Sequence, residues 1–185
     1  MPKRLLFLLI LMILAFGLAV PTHSIAASET NRVDFTAHLE FLCTDNGVPD
    51  SFCSMGELRP LPNGKAFVIG FKNVFTLTNA TDPRLNVRCL FTSDPLLPSS
   101  LQAMPVSGSF VCTPTDPAYT GGRWEGSAKD VFHPDSVTGY FHGKGYGAFD
   151  QLKVIIYNYM SNHYAGAAEG GDVVGTIIEL PGYQP

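Results

Sequence analysis

Hydrophobic and polar residues alternate over short segments along most of the chain after residue 30. These segments are rich in Val, Ile, Phe, Tyr and Thr, and clusters of Pro, Gly, Asn and Asp separate them. A period of two is typical of strands that bury one face, and no stretch of ten or more residues here has the apolar spacing of a helix. The pattern predicts an all-β protein with strands near residues 33–43, 65–77, 86–92, 106–113, 122–132, 137–147, 152–160 and 173–180.

About eight strands of this length are enough to close an antiparallel β-barrel. Closure is favoured because it pairs the edge strands that an open sheet would expose. A barrel of this size either fills its interior with side chains or holds one small apolar ligand. We therefore predict a closed barrel and treat a ligand cavity as one of its two possible interiors.

Glycines recur inside two of the predicted strands, 122–132 and 137–147. Each should cost about 0.5–1 kcal/mol relative to Ala. In a small barrel, a glycine allows sharp coiling or lets an aromatic ring from a neighbouring strand lie on bare backbone. A phosphate-binding loop is disfavoured. That motif has the form Gly-x-Gly-x-x-Gly and precedes a helix, whereas 143-GKGYG-147 has one residue too few before its third glycine and precedes a strand. The aromatic residues available to cover glycines, or to line a ligand cavity, are Trp124, Phe141 and Tyr146.

Alternation also predicts which face each residue of these two strands occupies. In 137–147, glycines and Phe141 share one face, and the bulky Tyr140, His142, Lys144 and Tyr146 share the other. In 122–132, the polar set predicted to face solvent is Arg123, Glu125, Ser127 and Lys129. The inward set is Trp124, Gly126 and Ala128, joined by Asp130 unless that residue ends the strand.

The N-terminus has the pattern of a secretory signal peptide. Lys3 and Arg4 precede an apolar run of 16 residues from Leu5 to Val20, and small residues near Ala26 and Ala27 offer cleavage sites. The run is shorter than the roughly 20 residues that span a bilayer, although a retained anchor is the alternative. We predict a signal peptide at 1–27, one domain at 28–185 and a secreted or extracytoplasmic protein.

The charge balance argues against several classes of partner. The full chain has a formal charge of −4, and loss of Lys3 and Arg4 with the signal peptide makes it −6. With no cluster of Lys and Arg in the mature chain, neither nucleic acid nor, after signal removal, a membrane is an expected partner. No cofactor motif is present, and the sequence predicts no oligomeric state.

All four cysteines, Cys43, Cys53, Cys89 and Cys112, lie in the predicted mature chain. An even number in an exported protein predicts two disulfides, for which three pairings are possible. We favour the nearest-neighbour pairing, because each bond would then close a local connection between adjacent segments. No Cys-x-x-Cys spacing is present, so a metal site is not expected.

One set of titratable residues could carry chemistry if it lay inside the barrel. His142 near Glu125 or Tyr140 could act as a general base, with Arg123 as a further polar group. Nothing beyond alternation supports this arrangement. A solvent-facing role for each of the four residues is the simpler interpretation.

The segment 79-NATDPR-84 combines two local motifs. Asn79-Ala80-Thr81 is an N-glycosylation sequon, which would be used only in a eukaryotic host. Asp82-Pro83-Arg84 predicts a turn with Pro at its second position, and a salt bridge from Arg84 to Asp82 or a neighbouring carboxylate is its expected role.

Four motifs together resemble a known group of proteins. They are 82-DPR-84, 122-GRWEG-126, 143-GKGYGAFDQLKV-154 and 175-GTIIELPG-182. The chain resembles small secreted, mostly bacterial proteins that look like relatives of the allene oxide cyclase and dirigent-type eight-stranded β-barrels. The resemblance spans about residues 56–182 and implies a fold, with no activity to carry over. Gln151 stands where a glycine often precedes the Leu-Lys pair, and the cysteines are outside the pattern.

Three functions follow as hypotheses. The first is a non-catalytic protein that binds a small hydrophobic ligand in the barrel. The second is an isomerase or cyclase in which the barrel holds a flexible apolar substrate and a few polar groups steer it. The third is an adhesion or matrix module, which would need exposed aromatics on the loops at 93–105 and 161–172, where Tyr164 is the clear candidate.

Overall fold

The computed structural model describes residues 30–43, 52–98, 103–133, 136–161 and 170–184. The predicted signal peptide lies outside these ranges. The strands are β1 Asn31–Phe41, β2 Glu57–Pro60, β3 Ala66–Ile69, β4 Phe71–Thr78, β5 Val87–Ser93, β6 Leu96–Leu97, β7 Met104–Pro114, β8 Arg123–Phe132, β9 Ser136–Tyr146, β10 Leu152–Ser161 and β11 Gly171–Glu179. Three single-turn 3-10 helices span Pro83–Leu85, Pro117–Tyr119 and Gly147–Phe149. No helix in the described ranges is long and apolar enough to cross a bilayer.

Eight of these strands form a closed antiparallel barrel, as the alternation predicted. The order around the barrel is β1-β11-β10-β9-β8-β7-β5-β4, and β4 returns to β1. The closing pairs run from His38 opposite Thr78 to Phe41 opposite Phe75. Every strand of the barrel has two neighbours, although β1 pairs with β4 over residues 38–41 only.

The predicted strand 65–77 is wrong in one respect, because it is divided into β3 and β4. Gly70, between them, has a φ of 74°, a conformation that glycine adopts readily and other residues rarely do. The chain turns there, so β3 leaves the barrel and pairs with β2 and β6 in a separate three-stranded sheet. The sequence shows one continuous apolar run across this turn and gave no reason to expect a second sheet.

The two disulfides follow the nearest-neighbour pairing, which is confirmed. Cys89 and Cys112 are directly opposite each other on β5 and β7, and both are buried. The bond between Cys43 and Cys53 joins the end of β1 to the segment that leads into the small sheet. Near it, the backbone N–H of Val74 lies 3.0 Å from Cys43 Sγ. Disulfides persist in oxidising compartments, so the pair fits an extracytoplasmic environment.

Aromatic rings cross the middle of the barrel. The ring centroids of Phe75 on β4 and Phe141 on β9 are 5.5 Å apart, and Phe110 on β7 lies 5.5 Å from Phe141. Separations of 4.5–7 Å are those of packed aromatic pairs. At this level the barrel is therefore filled by its own side chains.

The glycines allow neighbouring groups to approach closely. A Cβ at Gly126 would overlap the His142 carbonyl oxygen, and one at Gly143 would lie 3.1 Å from the Phe110 ring. The expectation that rings lie on bare backbone is thus confirmed at Gly143. The rings involved differ from those expected: Phe110 at Gly143, Phe91 at Gly108 and Phe35 at Gly175, rather than Trp124, Phe141 and Tyr146.

The barrel has two ends that differ in their connections. One, which we call the turn end, carries the three 3-10 helices and the segment after Glu179. The other, which we call the Ser93 end, is where β5 finishes at Ser93 and β7 begins at Met104. The two ends place different polar groups inside the barrel.

Candidate functional site

The four residues proposed as a catalytic set lie on the outer face of the barrel. His142 is exposed, and its neighbour Phe141 faces inward and is 4% exposed. Arg123 pairs with Glu125, and both side chains are partly exposed. Tyr140 packs beside His142 with ring centroids 5.0 Å apart. The general-base hypothesis needed His142 inside the barrel, so the structure contradicts that arrangement.

The aromatic residues proposed to line a ligand cavity have three different positions. Trp124 is buried, stacks on Phe149 at 4.9 Å between centroids, and donates from Nε1 to the Arg84 carbonyl at 3.2 Å. Phe141 belongs to the rings that cross the barrel. Tyr146 is outside, where the Arg123 guanidinium lies 4.8 Å from its ring centroid. The proposed Tyr164 lies outside the described residues.

Arg84 organises the turn end through hydrogen bonds from its guanidinium. Nε donates to Asp82 Oδ1 at 2.9 Å and Nη2 donates to Asp82 Oδ2 at 2.7 Å. Nη1 donates to Glu179 Oε1 at 2.8 Å and to the Tyr183 hydroxyl at 3.3 Å. Asp82 also caps the 3-10 turn by accepting from the Arg84 N–H at 3.0 Å. The predicted turn and the Arg84–Asp82 salt bridge are both confirmed.

These contacts shift the pKa values of Arg84 and Glu179. The hydrogen bonds that Arg84 donates to Asp82 raise the pKa of Arg84; burial opposes this shift, and the hydrogen bond to Glu179 adds to it. The hydrogen bond from Arg84, with a second from Asn31, lowers the pKa of Glu179. The guanidinium thus bridges Asp82 on the turn and Glu179 on the last strand, a geometry suited to closing this end of the barrel.

The Ser93 end contains buried polar atoms of a different kind. Ser93 is 8% exposed, and alternation on β5 directs it inward with Cys89 and Phe91. Asn73 is the direct partner of Phe91 on β4 and faces inward as well. Within the described part of the chain, neither Ser93 Oγ nor Asn73 Oδ1 has a hydrogen-bond partner. Such atoms are uncommon in folded proteins and call for an explanation such as water, an ion or a ligand.

Two features of neighbouring strands complete this region. Asp130 on β8 is 7% exposed and faces inward beyond Ala128, so it lies within the strand and does not end it. It is opposite Gly139, where an added Cβ would overlap Asp130 Oδ1. The inner surface at the Ser93 end thus carries a hydroxyl, an amide and a carboxyl among apolar side chains.

We define the lumen site as Asn73, Ser93 and Asp130 together with the ring of Phe91. Phe91 lies against bare backbone at Gly108 and is directly opposite Asn73. Asn73 and Ser93 are diagonal neighbours on the inner face, a relation that puts side chains roughly 7–8 Å apart. A single small molecule can bridge that gap, because Oδ1 accepts a hydrogen bond and a hydroxyl both donates and accepts.

Sequence reasoning did not single out Asn73 or Ser93. Asn73 falls on the inward face between Phe71 and Phe75, and a polar residue at an apolar-face position is the one signal that could have identified it. Ser93 was placed at the start of a loop, one residue beyond the predicted strand. Asp130 was assigned to the inward set, and the structure confirms that assignment.

In the described ranges, no three His, Cys, Asp or Glu side chains form a group that could hold a metal ion. The sequon residue Asn79 is exposed at the turn after β4, and its use as a glycosylation site stays a prediction. Comparisons with models of protein families, with curated proteins and with solved structures found no match.

Proposed function

We propose that this protein is a non-catalytic, extracytoplasmic binding protein that holds one small, mainly hydrophobic ligand at the lumen site. The observation that carries the proposal is the pair of buried atoms, Ser93 Oγ and Asn73 Oδ1, which lack partners in the described ranges. An unpaired buried polar group costs about 1–3 kcal/mol. A ligand with one hydroxyl or carbonyl group would offset that cost, and the surrounding rings would take its apolar part.

Secretion is the second element of the proposal. It rests on the signal-peptide pattern at residues 1–27, and the two disulfides are consistent with it. An exported binding protein meets small apolar compounds outside the cell, where a closed barrel protects them from water. The two disulfides would stabilise the protein outside the cell whether or not the ligand is bound.

The resemblance to allene oxide cyclase and dirigent-type barrels enters here as a supporting argument. The eight-stranded closed barrel agrees with the fold that the resemblance implies. Gln151, where a glycine often stands in the resembling proteins, has a φ of 64°. Because glycine adopts that conformation most readily, the backbone at this position fits the pattern even though the side chain does not.

An isomerase or cyclase is the second candidate, and Asp130 is the observation that favours it. Asp130 is an inward carboxyl group at the same end of the barrel as Asn73 and Ser93, and in this candidate it would exchange a proton with the bound substrate. An isomerisation needs no other reactant, because the proton that Asp130 removes from one atom of the substrate is returned to another atom of the same molecule. The conversion of a bound compound into an isomer, lost in Asp130→Asn and retained in a variant of the exposed Ser107 on β7, Ser107→Ala, would favour this candidate over simple binding.

Native mass spectrometry tests the binding proposal. The mature protein is purified from the secreted fraction of its host, and Ser93→Ala, Asn73→Leu and Ser107→Ala are purified alongside it. Ser107 is exposed on the outer face of β7, so its variant is the matched control. We expect wild type and Ser107→Ala to carry the same small molecule and the two lumen variants to lose most of it.

Two results would overturn the proposal. One is an empty wild-type protein that also stays empty after incubation with a lipid extract of the culture, which would indicate a filled barrel. The other is equal retention by all four proteins, which would place the ligand elsewhere. Intact masses before and after reduction, which should differ by four hydrogens, check both disulfides in the same experiment.

A further inference from the structure

A depression of about 460 Å³ lies on the outside of the barrel, at the seam where β1 leaves β4. Below the closing pairs at 38–41, the neighbour of β1 is no longer β4 but the turn that follows it. Thr81 joins that turn to β1 by donating its N–H to the Thr36 carbonyl at 2.9 Å. The residues that shape the rim and wall are Asp34, Thr36, Thr81, Tyr157, Val174 and Thr176.

One side of the depression is polar. Thr176 Oγ1 donates to Asp34 Oδ1 at 2.7 Å, and Thr81 Oγ1 accepts from the Thr36 N–H at 3.0 Å. Asp34 is exposed, so its carboxylate can also accept a hydrogen bond from a ligand. Three threonines and one carboxylate therefore border the same space.

The other side is apolar and exposed. Tyr157 and Val174 are direct cross-strand partners on β10 and β11, with 55% and 53% of their surface exposed. Val174 is also directly opposite Thr36, so the apolar pair adjoins the polar row. Phe35 and Gly175, which are direct cross-strand partners, line the depression between these two sides. An aromatic ring that is apolar on its face and polar at its hydroxyl can contact a ligand that has both kinds of surface.

We propose that this depression binds a neutral saccharide. A sugar ring has an apolar face of C–H groups, which matches Tyr157 and Val174, and a rim of hydroxyls, which matches Asp34 and the threonines. The carboxylate of Asp34 disfavours an anionic ligand, and the protein has an overall negative charge that acts in the same direction. The volume falls within the roughly 300–1,000 Å³ of small-molecule sites.

This site is independent of the lumen site. It lies on the outer face, and none of its residues belongs to the set Asn73, Ser93, Asp130 and Phe91. The adhesion hypothesis would then involve a surface on the barrel strands, whereas the sequence pointed to the loops at 93–105 and 161–172. A protein with both sites would hold an apolar compound inside while attached to a glycan outside.

Isothermal titration with neutral trisaccharides of glucose, mannose, xylose and N-acetylglucosamine tests the proposal. The proteins are wild type, Tyr157→Ala, Asp34→Asn and Val111→Ala, the last removing an apolar side chain 43% exposed on the outer face of β7. We expect at least one trisaccharide to bind wild type and Val111→Ala equally. Loss of the stacking ring or of the carboxylate should weaken it about tenfold or more.

The opposing results are equally specific. Saturation by none of the trisaccharides at about 10 mM, or equal affinity in all four proteins, would overturn the proposal. Light scattering during chromatography covers a third outcome: a dimer of wild type that Tyr157→Ala dissociates would assign the depression to a second copy of this chain instead. Ser93→Ala, included as a reference, should keep saccharide binding. Failure of the saccharide proposal would therefore leave the lumen proposal intact, and failure of the lumen proposal would leave the saccharide proposal intact.

Discussion

At the turn end of the barrel, the guanidinium of Arg84 meets the side chains of Asp82, Glu179 and Tyr183 within 3.3 Å. At the Ser93 end, Ser93 Oγ and Asn73 Oδ1 are equally buried, and no partner for either lies in the described ranges. Both ends belong to one barrel and to the same strands. The two ends differ in whether their buried polar groups form hydrogen bonds with side chains from other segments within the described ranges.

The comparison separates two uses of a buried polar group. A matched set such as the Arg84 cluster fixes how the last strand and the connecting turns dock, and it needs nothing from outside. An unmatched set lowers stability until something binds, which is the usual relation between a binding site and the fold that carries it. Variants at the two ends should therefore have opposite effects on the stability of the free protein.

The largest effect is expected from Arg84→Met. Removing the guanidinium leaves two carboxylates at the turn end without their counter-ion, which typically costs about 3–5 kcal/mol. Urea unfolding should show that loss of stability. Arg123→Met is the control, because its exposed pair with Glu125 contributes less than about 1 kcal/mol. Equal losses in the two variants would contradict the assignment of Arg84 as the organising residue.

The next effect concerns the disulfide between the ends. Cys89→Ala with Cys112→Ala removes a crosslink that closes 23 residues, and chain entropy then predicts a loss of about 3 kcal/mol. The pair Cys43→Ala and Cys53→Ala, closing 10 residues outside the barrel, should cost less. Thermal unfolding of both double variants measures the difference. A greater loss from the outer pair would show that the small sheet, and not the barrel, limits stability.

A smaller effect at the turn end should depend on pH. The pKa of Glu179 is lowered by Arg84 below its ordinary value of 4.5, so the folded state binds this proton less readily than the unfolded state. Its stabilising contribution is complete above that ordinary value and is lost as the pH falls through the lowered one. Wild type should thus exceed Glu179→Gln in melting temperature at neutral pH, and the gap should close in acid. A constant gap would contradict the ion pair.

At the Ser93 end the sign should reverse. Ser93→Ala removes a buried hydroxyl with no partner in the described ranges, so the free protein should keep its stability or gain up to about 1 kcal/mol. Ser107→Ala, on the outer face, should change little. Chemical unfolding of ligand-free protein checks both. A loss of more than about 1 kcal/mol would mean that the hydroxyl is already satisfied and that the two ends do not differ.

The smallest effect is expected at Gln151, which follows the last 3-10 helix of the turn end. Its φ of 64° strains a residue with a side chain, so Gln151→Gly should stabilise the protein by less than about 1 kcal/mol. Asn79→Gly is the control, because Asn tolerates its φ of 52° better and should gain less. Thermal unfolding of the two variants measures both gains, and a larger gain in Asn79→Gly than in Gln151→Gly would contradict this expectation.

The sequence predicted the barrel well and the polar lumen poorly, for one physical reason. Alternation reports which face a residue occupies, so Trp124 and Asp130 were placed inward correctly and Arg123 outward. It does not report what lies across the barrel from an inward residue. Arg84 and Glu179 are 95 residues apart in sequence, and only closure of the barrel brings them to 2.8 Å.

By itself, the sequence determined the all-β class, because strand period is a local property; it predicted the closed barrel from the number of strands and favoured one of three pairings of the four cysteines. Tertiary structure alone decided that β3 leaves the barrel, that His142 lies outside, and that Ser93 and Asn73 remain unmatched within the described ranges. It also brought Asp34, Thr81 and Tyr157 around one depression. These outcomes depend on register and on contacts between distant segments, which the order of residues along a single strand does not contain.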